Sequence, residues 1–127
     1  MAPADSDSRV TRVAALYDIH GNLPALQAVL HEIREANVDL VVVGGDIVPG
    51  PMPRETMTLL MALDIPTRFI RGNGERVVAA RLRGEDIGEV PEVFHEVIDW
   101  TAQQLEPGQQ QALIDWPLLC RVEMAGL

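Results

Sequence analysis

The sequence predicts an α/β fold in which parallel strands alternate with crossover helices. Three short apolar runs have the composition of buried strands, and each is followed by a turn that contains glycine. The segments between these runs carry apolar residues at helical spacing. Because strand-helix-strand units produce parallel sheets with right-handed crossovers, we expect the carboxyl ends of the three strands to meet at one edge of the sheet.

The first strand and helix follow a polar start. Residues 1–9 lack any periodicity that could bury a face, and we predict a flexible tail there. Residues 10–17 are rich in Val, Ala and Leu and predict a buried strand. Asn22 is a favourable N-cap for the next helix, which Asn37 is expected to end in the left-handed conformation. The predicted inward face of this helix is Leu23, Leu26, Val29, Leu30 and Ile33.

The same pattern occurs twice more. Residues 40–43 form a continuous apolar run of strand type that ends at Gly44-Gly45-Asp46. A second helix is predicted after Pro53, and Pro66 should end it before a third strand over 67–70. The predicted inward face of the second helix is Met57, Leu60, Met61 and Leu63.

The rest of the chain is predicted to be mostly helical. Helices are expected over 75–82 and 91–105, and a shorter helix is expected after Pro107. Residues 118–124 are predicted to form one strand of a hairpin whose turn starts at Ala125. The large apolar side chains expected in the core of this part are Phe94, Val97, Ile98, Trp100, Leu105 and Trp116.

Charge and composition exclude several classes of protein. A formal net charge of −9 would repel a nucleic-acid polymer or an anionic membrane, so neither is an expected partner. The single cysteine, Cys120, cannot form an internal disulfide, and residues 1–8 lack the apolar stretch of a signal peptide. No apolar run approaches the ~20 residues of a membrane-spanning helix. We therefore expect a cytoplasmic protein.

Polar residues with metal-binding chemistry follow each predicted strand. Asp18 and His20 lie two residues apart in the first turn, so both side chains can face one cation. Asp46 and Asn73 follow at intervals of about one strand-helix-strand unit, which should bring them to neighbouring strand ends. Such a set suits a borderline or hard divalent cation, and we expect Mn²⁺ before Fe, Zn²⁺ or Ni²⁺.

Each turn also has an ordinary structural interpretation when it is taken alone. Asp18 to Asn22 would be a polar turn with a helix cap, and Asn73 between two glycines would be a left-handed turn residue. His31 and His95 are expected to be solvated helix residues, and Cys120 an inert buried thiol. The functional interpretation depends on three turns of this kind occurring in order at strand ends.

These residues resemble a known family. Asp18-x-His20, Gly45-Asp46 and Gly72-Asn73-x-Glu75 are similar to the first three blocks of the calcineurin-like metallophosphoesterase signature. The stretches 45–51 and 100–117 resemble a bacterial subgroup of that superfamily, and the resemblance extends over roughly residues 10 to 124. It implies a metallophosphoesterase-type α/β sandwich, of which residues 10–127 would be about the N-terminal half.

The resemblance also implies a reaction and a set of roles. The reaction is hydrolysis of phosphomonoesters or phosphodiesters, either small phosphate esters or nucleotides, at a site with two divalent metal ions. Asp18 and His20 would hold the first ion, Asp46 would bridge both, and Asn73 would bind the second. Asp46 and Asn73 would thereby be the catalytic residues. The expected substrate-binding residues are Asn22, Arg71 and Arg76.

Two departures from the family pattern qualify this expectation. Gly74 stands where most members have a histidine that acts on the leaving group or on transition-state charge. The family takes three further histidine ligands from two later blocks, and His31 and His95 match neither block in position or context. We therefore expect these 127 residues alone to hydrolyse phosphate esters slowly or not at all.

The alternative is a non-catalytic, truncated metal-binding fragment that folds by self-association. A sheet face and a strand edge that lack their covering layer would meet water, and a homodimer is expected if the chain ends at Leu127. An unrelated doubly wound binding domain remains a third interpretation, which requires the Asp18-x-His20 pair to be coincidental.

Overall fold

The chain folds as three strand-helix units followed by a helical section. A computed structural model describes residues 10–125, so the predicted tail over 1–9 lies outside the described part. The elements are β1 (Val13–Leu16), α1 (Leu23–Glu35), β2 (Leu40–Val43), α2 (Pro53–Met61), β3 (Thr67–Phe69), α3 (Asn73–Leu82), a 3₁₀ turn (Glu92–Phe94), α4 (His95–Gln104) and α5 (Pro107–Asp115).

The strands form the predicted parallel sheet. Its order is β1-β2-β3, with Val13 opposite Leu40 and Val41 opposite Thr67. The central strand has the predicted bounds, whereas β1 and β3 are shorter than their apolar runs. Parallel pairing along the chain brings the three carboxyl ends to one edge, as expected from the alternation of strands and helices.

The central strand is buried on both faces. Val41 and Val43 belong to a large cluster that includes Leu30 and Leu60, from α1 and α2. Leu40 belongs to a second, smaller cluster together with Val42. This division follows the period of two along a strand, because successive side chains point to opposite faces.

The C-terminal segment covers the second face of the central strand. Cys120, Val122 and Met124 pack against the small cluster that contains Val10, Leu40 and Val42. The expectation that this face of β2 would meet water is therefore wrong for the described residues, since Leu40 and Val42 are 3% and 9% exposed.

The hairpin strand predicted over 118–124 is not formed among the described residues. The sheet contains the three parallel strands only, and Leu118 and Leu119 are exposed. The segment is attached at Pro117, whose carbonyl oxygen accepts from the Arg71 N–H at 2.7 Å, and at Arg121, whose carbonyl accepts from the Arg68 guanidinium. The alternating apolar pattern is satisfied by side-chain packing rather than by a hydrogen-bonded ladder.

The helix boundaries agree well with the predicted signals. Asn22 caps α1, since its Oδ1 accepts from the Ala25 N–H at 3.2 Å, and Asn37 has φ 53° just beyond the helix end. Met57 and Leu60 are buried as predicted, but Met61 is exposed and its inward assignment is wrong. No described helix is long and apolar enough to cross a membrane.

The predicted helix over 91–105 is divided, and it buries a different face. A 3₁₀ turn precedes α4, and the buried residues are Ile98, Thr101, Ala102 and Leu105. Phe94, Val97 and Trp100 are exposed, so their predicted core positions are wrong. His95 is half-buried rather than solvated, with Nε2 2.9 Å from the Val90 carbonyl oxygen.

Two contacts fix the helical section, one between its helices and one to the sheet. The Arg81 guanidinium pairs with both carboxylate oxygens of Asp99, which joins α3 to α4. The Phe69 and Trp116 rings stack with centroids 4.5 Å apart, which joins β3 to the residue after α5. Trp116 is therefore partly buried against the core, in agreement with its predicted role.

Candidate metal centre

Three of the four predicted ligands converge at the carboxyl ends of β1 and β2. One donor atom each from Asp18, His20 and Asp46 lies within 4.8 Å of the other two. The Asp18 Oδ1 and His20 Nε2 atoms are 3.9 Å apart. Asn73 lies at the start of α3 and lines the same pocket as His20 and Asp46.

The backbone at all three donors is left-handed. The φ angles are 54° at Asp18, 47° at His20 and 57° at Asp46. Residues other than glycine rarely adopt this region, although Asp and His do so more readily than most. Each such residue costs of order 1–3 kcal/mol and persists only where surrounding contacts enforce it. Strain at three neighbouring polar residues is typical of a functional site.

The first loop, residues 17–22, is held by backbone hydrogen bonds to the second loop, residues 44–52. The His20 N–H donates to the Asp46 carbonyl at 2.9 Å, and the Gly21 N–H donates to the Ile47 carbonyl at 2.8 Å. Gly21 has φ 64°, and a Cβ atom there would lie 2.9 Å from the Gly50 carbonyl carbon. The close approach of the two loops therefore requires glycine at this position.

The imidazole of His20 is oriented by the second loop. Its Nδ1 lies 3.0 Å from the carbonyl oxygen of Pro49. Because a carbonyl oxygen only accepts hydrogen bonds, Nδ1 carries the proton in this contact, and the neutral ring has its free lone pair on Nε2. That nitrogen is the one near Asp18. Ring orientation of this kind is common for histidines that bind metals.

A buried glutamate organises the second loop. The Glu75 side chain is fully buried, and its Oε1 accepts from the N–H groups of Asp46 at 2.7 Å and Gly72 at 2.9 Å. Its Oε2 accepts from the Val48 N–H at 3.0 Å. Burial raises the pKa of the Glu75 carboxyl, although these three amides act in the opposite direction. The hydrogen bond from the Asp46 backbone N–H to Glu75 thus fixes the position of Asp46.

The sequence prediction did not recognise this role of Glu75. The available signal was an acidic residue three positions after Gly72 at a helix start, which is the spacing of a capping box. The same region holds the Asp46 side chain, because its Oδ1 accepts from the Gly74 N–H at 2.7 Å. The N-terminus of α3 therefore fixes both the backbone and the carboxylate of Asp46.

Gly74 has no room for a side chain. A Cβ atom built there would overlap the Val48 carbonyl oxygen and lie 3.1 Å from Pro49 Cδ. The histidine that most family members carry at this position would therefore require the second loop to move. The second loop therefore occupies the space beside Gly74.

The other predicted site residues have structural partners. The Asn73 Oδ1 accepts from the Arg76 Nε at 3.2 Å and from its Nη2 at 2.9 Å. Asn22 uses its side-chain oxygen as the cap of α1. The Arg71 Nη1 lies 3.5 Å from the Ile114 carbonyl oxygen. Among the described residues that line the pocket with Asp46, none of Asn22, Arg71 and Arg76 is found.

The donor set fits a divalent cation. Two carboxylates and a neutral imidazole nitrogen are ligands that Mn²⁺, Fe²⁺ and Zn²⁺ share, and no thiolate is present to favour a softer ion. Like charges on Asp18 and Asp46 repel each other at this separation, and a cation between them would offset that repulsion. Asp18, His20 and Asp46 therefore form the described cluster best suited to hold a metal.

Comparisons with known proteins agree with this chemistry. The model of the calcineurin-like phosphoesterase family matches residues 11–121. Among solved structures, the chain is similar to a metallophosphoesterase from Sphaerobacter thermophilus, with 34% sequence identity and a TM-score of 0.66. The match covers 86% of this chain and 42% of that one, so the chain spans less than half of its length. No curated protein gives a significant match.

Proposed function

Since the chain belongs to the calcineurin-like phosphoesterase family, we propose that its domain hydrolyses phosphomonoesters or phosphodiesters at a site with two divalent metal ions. The observation that carries this proposal is the convergence of Asp18, His20 and Asp46 within 4.8 Å at the carboxyl ends of parallel strands. The substrates proposed are small phosphate esters or nucleotides.

We assign the metal ligands as the family pattern implies. Asp18, His20 and Asp46 would hold the first ion, and Asp46 and Asn73 would contribute to the second, with Mn²⁺ favoured over Fe, Zn²⁺ and Ni²⁺. When bound, two divalent ions supply Lewis acidity toward the phosphoryl oxygens and a nucleophile from water at neutral pH. The protein contributes fixed ligand positions, through Glu75 for Asp46 and through Pro49 for His20.

Arg76 is the best candidate for binding the phosphoryl group. Its guanidinium donates two hydrogen bonds to the Oδ1 of Asn73, which is also the oxygen that would serve as a metal ligand. A metal on Asn73 would compete with this contact and free the guanidinium to bind phosphate oxygens, for which Arg is well suited. Asn22 and Arg71 have structural partners, so we propose a smaller role for them in substrate binding.

The test combines metal uptake with turnover. The purified chain should take up Mn²⁺, measured by elemental analysis, and Asp46→Ala should abolish that uptake. With excess Mn²⁺ we expect slow hydrolysis of bis(4-nitrophenyl) phosphate that is also lost in Asp46→Ala. Equal metal content in the variant and the parent contradicts the assignment of Asp46, and a parent that binds no divalent metal contradicts the proposed function.

Self-association of a non-catalytic chain is a second candidate. The described residues leave β1 at an edge of the sheet, with Ala15 exposed on the strand and Tyr17 59% exposed just beyond it. An edge strand of this kind can pair with a second copy of the chain. Light scattering that gives a stable 13.9 kDa monomer on dilution contradicts this candidate.

A further inference from the structure

The pocket that contains the candidate metal ligands is lined by both polar and apolar residues. It has a volume of about 430 Å³, within the range of small-molecule sites. We call His20, Asp46 and Asn73 the polar side. The apolar residues, which we call the apolar wall, are Pro49, Val77, Val90, Pro91, Phe94 and Ile98.

The apolar wall is held in place by core packing and by an ion pair between helices. Val77 on α3 and Ile98 on α4 are only 5% and 3% exposed, so they form its base as part of the core. The ion pair between Arg81 and Asp99 holds α3 against α4. Phe94 lines the pocket and is 52% exposed, so it is the accessible aromatic residue of the apolar wall. A ring-sized apolar group in this pocket would bury part of the Phe94 ring.

The charges around the pocket favour one kind of ester. No Lys or Arg is among the described residues that line it, whereas the carboxylate-bearing residue Glu89 is. The phosphoryl group is expected at the polar side, near Arg76 on Asn73. A second anionic group on the substrate would therefore find no cation along the apolar wall and would be repelled by Glu89.

Resting on the proposed function, we infer that this site takes phosphate esters with one uncharged aryl or similar ring-sized apolar group, and that Phe94 is the residue that selects for it. Short alkyl esters would leave the apolar wall exposed to water. Esters whose second substituent is anionic would bind more weakly because of Glu89. The pocket thereby narrows the substrates from phosphate esters in general to esters of this class.

Equilibrium binding of non-hydrolysable analogues tests this inference without relying on turnover. Phenylphosphonate and methylphosphonate carry the same phosphonate head, and isothermal calorimetry on the full chain with Mn²⁺ gives both affinities. We expect phenylphosphonate to bind about tenfold more tightly, because the phenyl ring removes apolar surface from water. Phe94→Ala should reduce this ratio to about twofold. Val93→Ala, at an exposed neighbouring position that does not line the pocket, should leave the ratio unchanged.

A second pair of variants tests the charge selection. Glu89→Gln should increase the affinity for 4-carboxyphenylphosphonate about fivefold and leave phenylphosphonate unaffected. Glu92→Gln is the matched control, because Glu92 is exposed and is not among the pocket-lining residues. An effect of equal size in both variants would mean that overall charge, and not Glu89, decides the preference, and would overturn this part of the inference.

The outcomes separate this inference from the proposed function. Equal affinity for phenylphosphonate and methylphosphonate in the parent chain overturns the inference even if metal-dependent hydrolysis is observed. Tighter binding of phenylphosphonate by a chain that takes up no divalent metal supports the inference and counts against the proposed function. Binding of neither phosphonate by the Mn²⁺-treated chain overturns the inference. Circular dichroism of Phe94→Ala checks that the variant is folded, and Phe94→Leu should retain an intermediate ratio.

Discussion

The two loops that supply the candidate ligands are held in different ways. In the second loop, Asp46 is half-buried, and a fully buried glutamate, Glu75, accepts a hydrogen bond from its backbone. In the first loop, the side chains of Asp18 and His20 are 75% and 49% exposed. The first loop takes its position from backbone hydrogen bonds to the second. The N-terminus of α3 therefore fixes Asp46, and the loop that contains Asp46 positions the more exposed ligands Asp18 and His20.

The largest effect is expected from removing the glutamate. Glu75→Ala would leave one buried and two partly buried N–H groups without their acceptor, so the free energy of unfolding should fall by about 3 kcal/mol. Glu75→Gln should cost less, because an amide oxygen can still accept from Asp46 and Gly72 while its NH₂ group cannot accept from Val48. Urea unfolding of the metal-free chain measures both.

The control for this prediction is Glu96→Ala, an exposed position on α4. It should change the free energy of unfolding by no more than about 0.5 kcal/mol. If Glu75→Ala behaved like Glu96→Ala, the second loop would not depend on the buried carboxylate, and the difference between the loops would have another cause.

The next effect concerns metal binding by the two loops. Asp46→Asn keeps an oxygen that can accept from the Gly74 N–H but removes the charge, and we expect it to abolish Mn²⁺ uptake. Asp18→Asn tolerates the left-handed backbone and removes a more exposed charge, so it should retain weaker, measurable uptake. Elemental analysis over a range of Mn²⁺ concentrations distinguishes the two. Greater loss in Asp18→Asn than in Asp46→Asn would reverse the order proposed for the loops.

A smaller effect is expected at Gly74. Gly74→Ala would force its Cβ against the Val48 carbonyl and should destabilise the fold by about 1–3 kcal/mol, with Asp46 displaced in the same loop. Gly108→Ala is the control, because no atom lies within 4 Å of its Cβ position in α5. That change should be neutral or stabilise the helix by up to about 1 kcal/mol. Thermal unfolding of both variants decides whether close packing at Gly74 is the cause.

Much of the fold could be predicted because local rules and tertiary packing agree. The strand over 40–43 is apolar on both faces and lies in the centre of a parallel sheet, and Asn22 caps the helix that follows the first turn. The arrival of Asp18, His20 and Asp46 at one edge of the sheet follows from its parallel topology. These features depend on residues close together in the chain or on the order of elements.

The rest could not be predicted because it depends on contacts between distant segments. Helical spacing does not show which of two adjacent apolar stripes packs inward, so it predicts a core position for Phe94, which instead lines the pocket. An alternating pattern does not show whether residues 118–124 pair or merely pack. The hydrogen bonds that Glu75 accepts from the N–H groups of Asp46 and Val48 join residues more than 25 positions apart, and no local pattern in the sequence indicates them.

The smallest effect is expected at Asp39, an exposed carboxylate at the opposite end of the sheet from Glu75. The Asp39 Oδ2 accepts from the Thr11 N–H at 2.9 Å, the Thr11 hydroxyl at 2.8 Å and the Arg12 N–H at 3.0 Å. These hydrogen bonds lower the pKa of the Asp39 carboxyl, whereas burial raises that of Glu75. A lowered pKa in the folded state stabilises the fold above the ordinary Asp value of 3.8, and this stabilisation is lost as the pH falls through the folded-state pKa.

Asp39→Asn should therefore be less stable than the parent at pH ~7 and equal to it in acid below both pKa values. Urea unfolding across this pH range measures the difference. Asp64→Asn is the control, because Asp64 is exposed and lies 3.9 Å from Arg34, beyond hydrogen-bond distance. A stability difference that stays constant as the pH is lowered would show that the Asp39 contact depends on shape and not on charge.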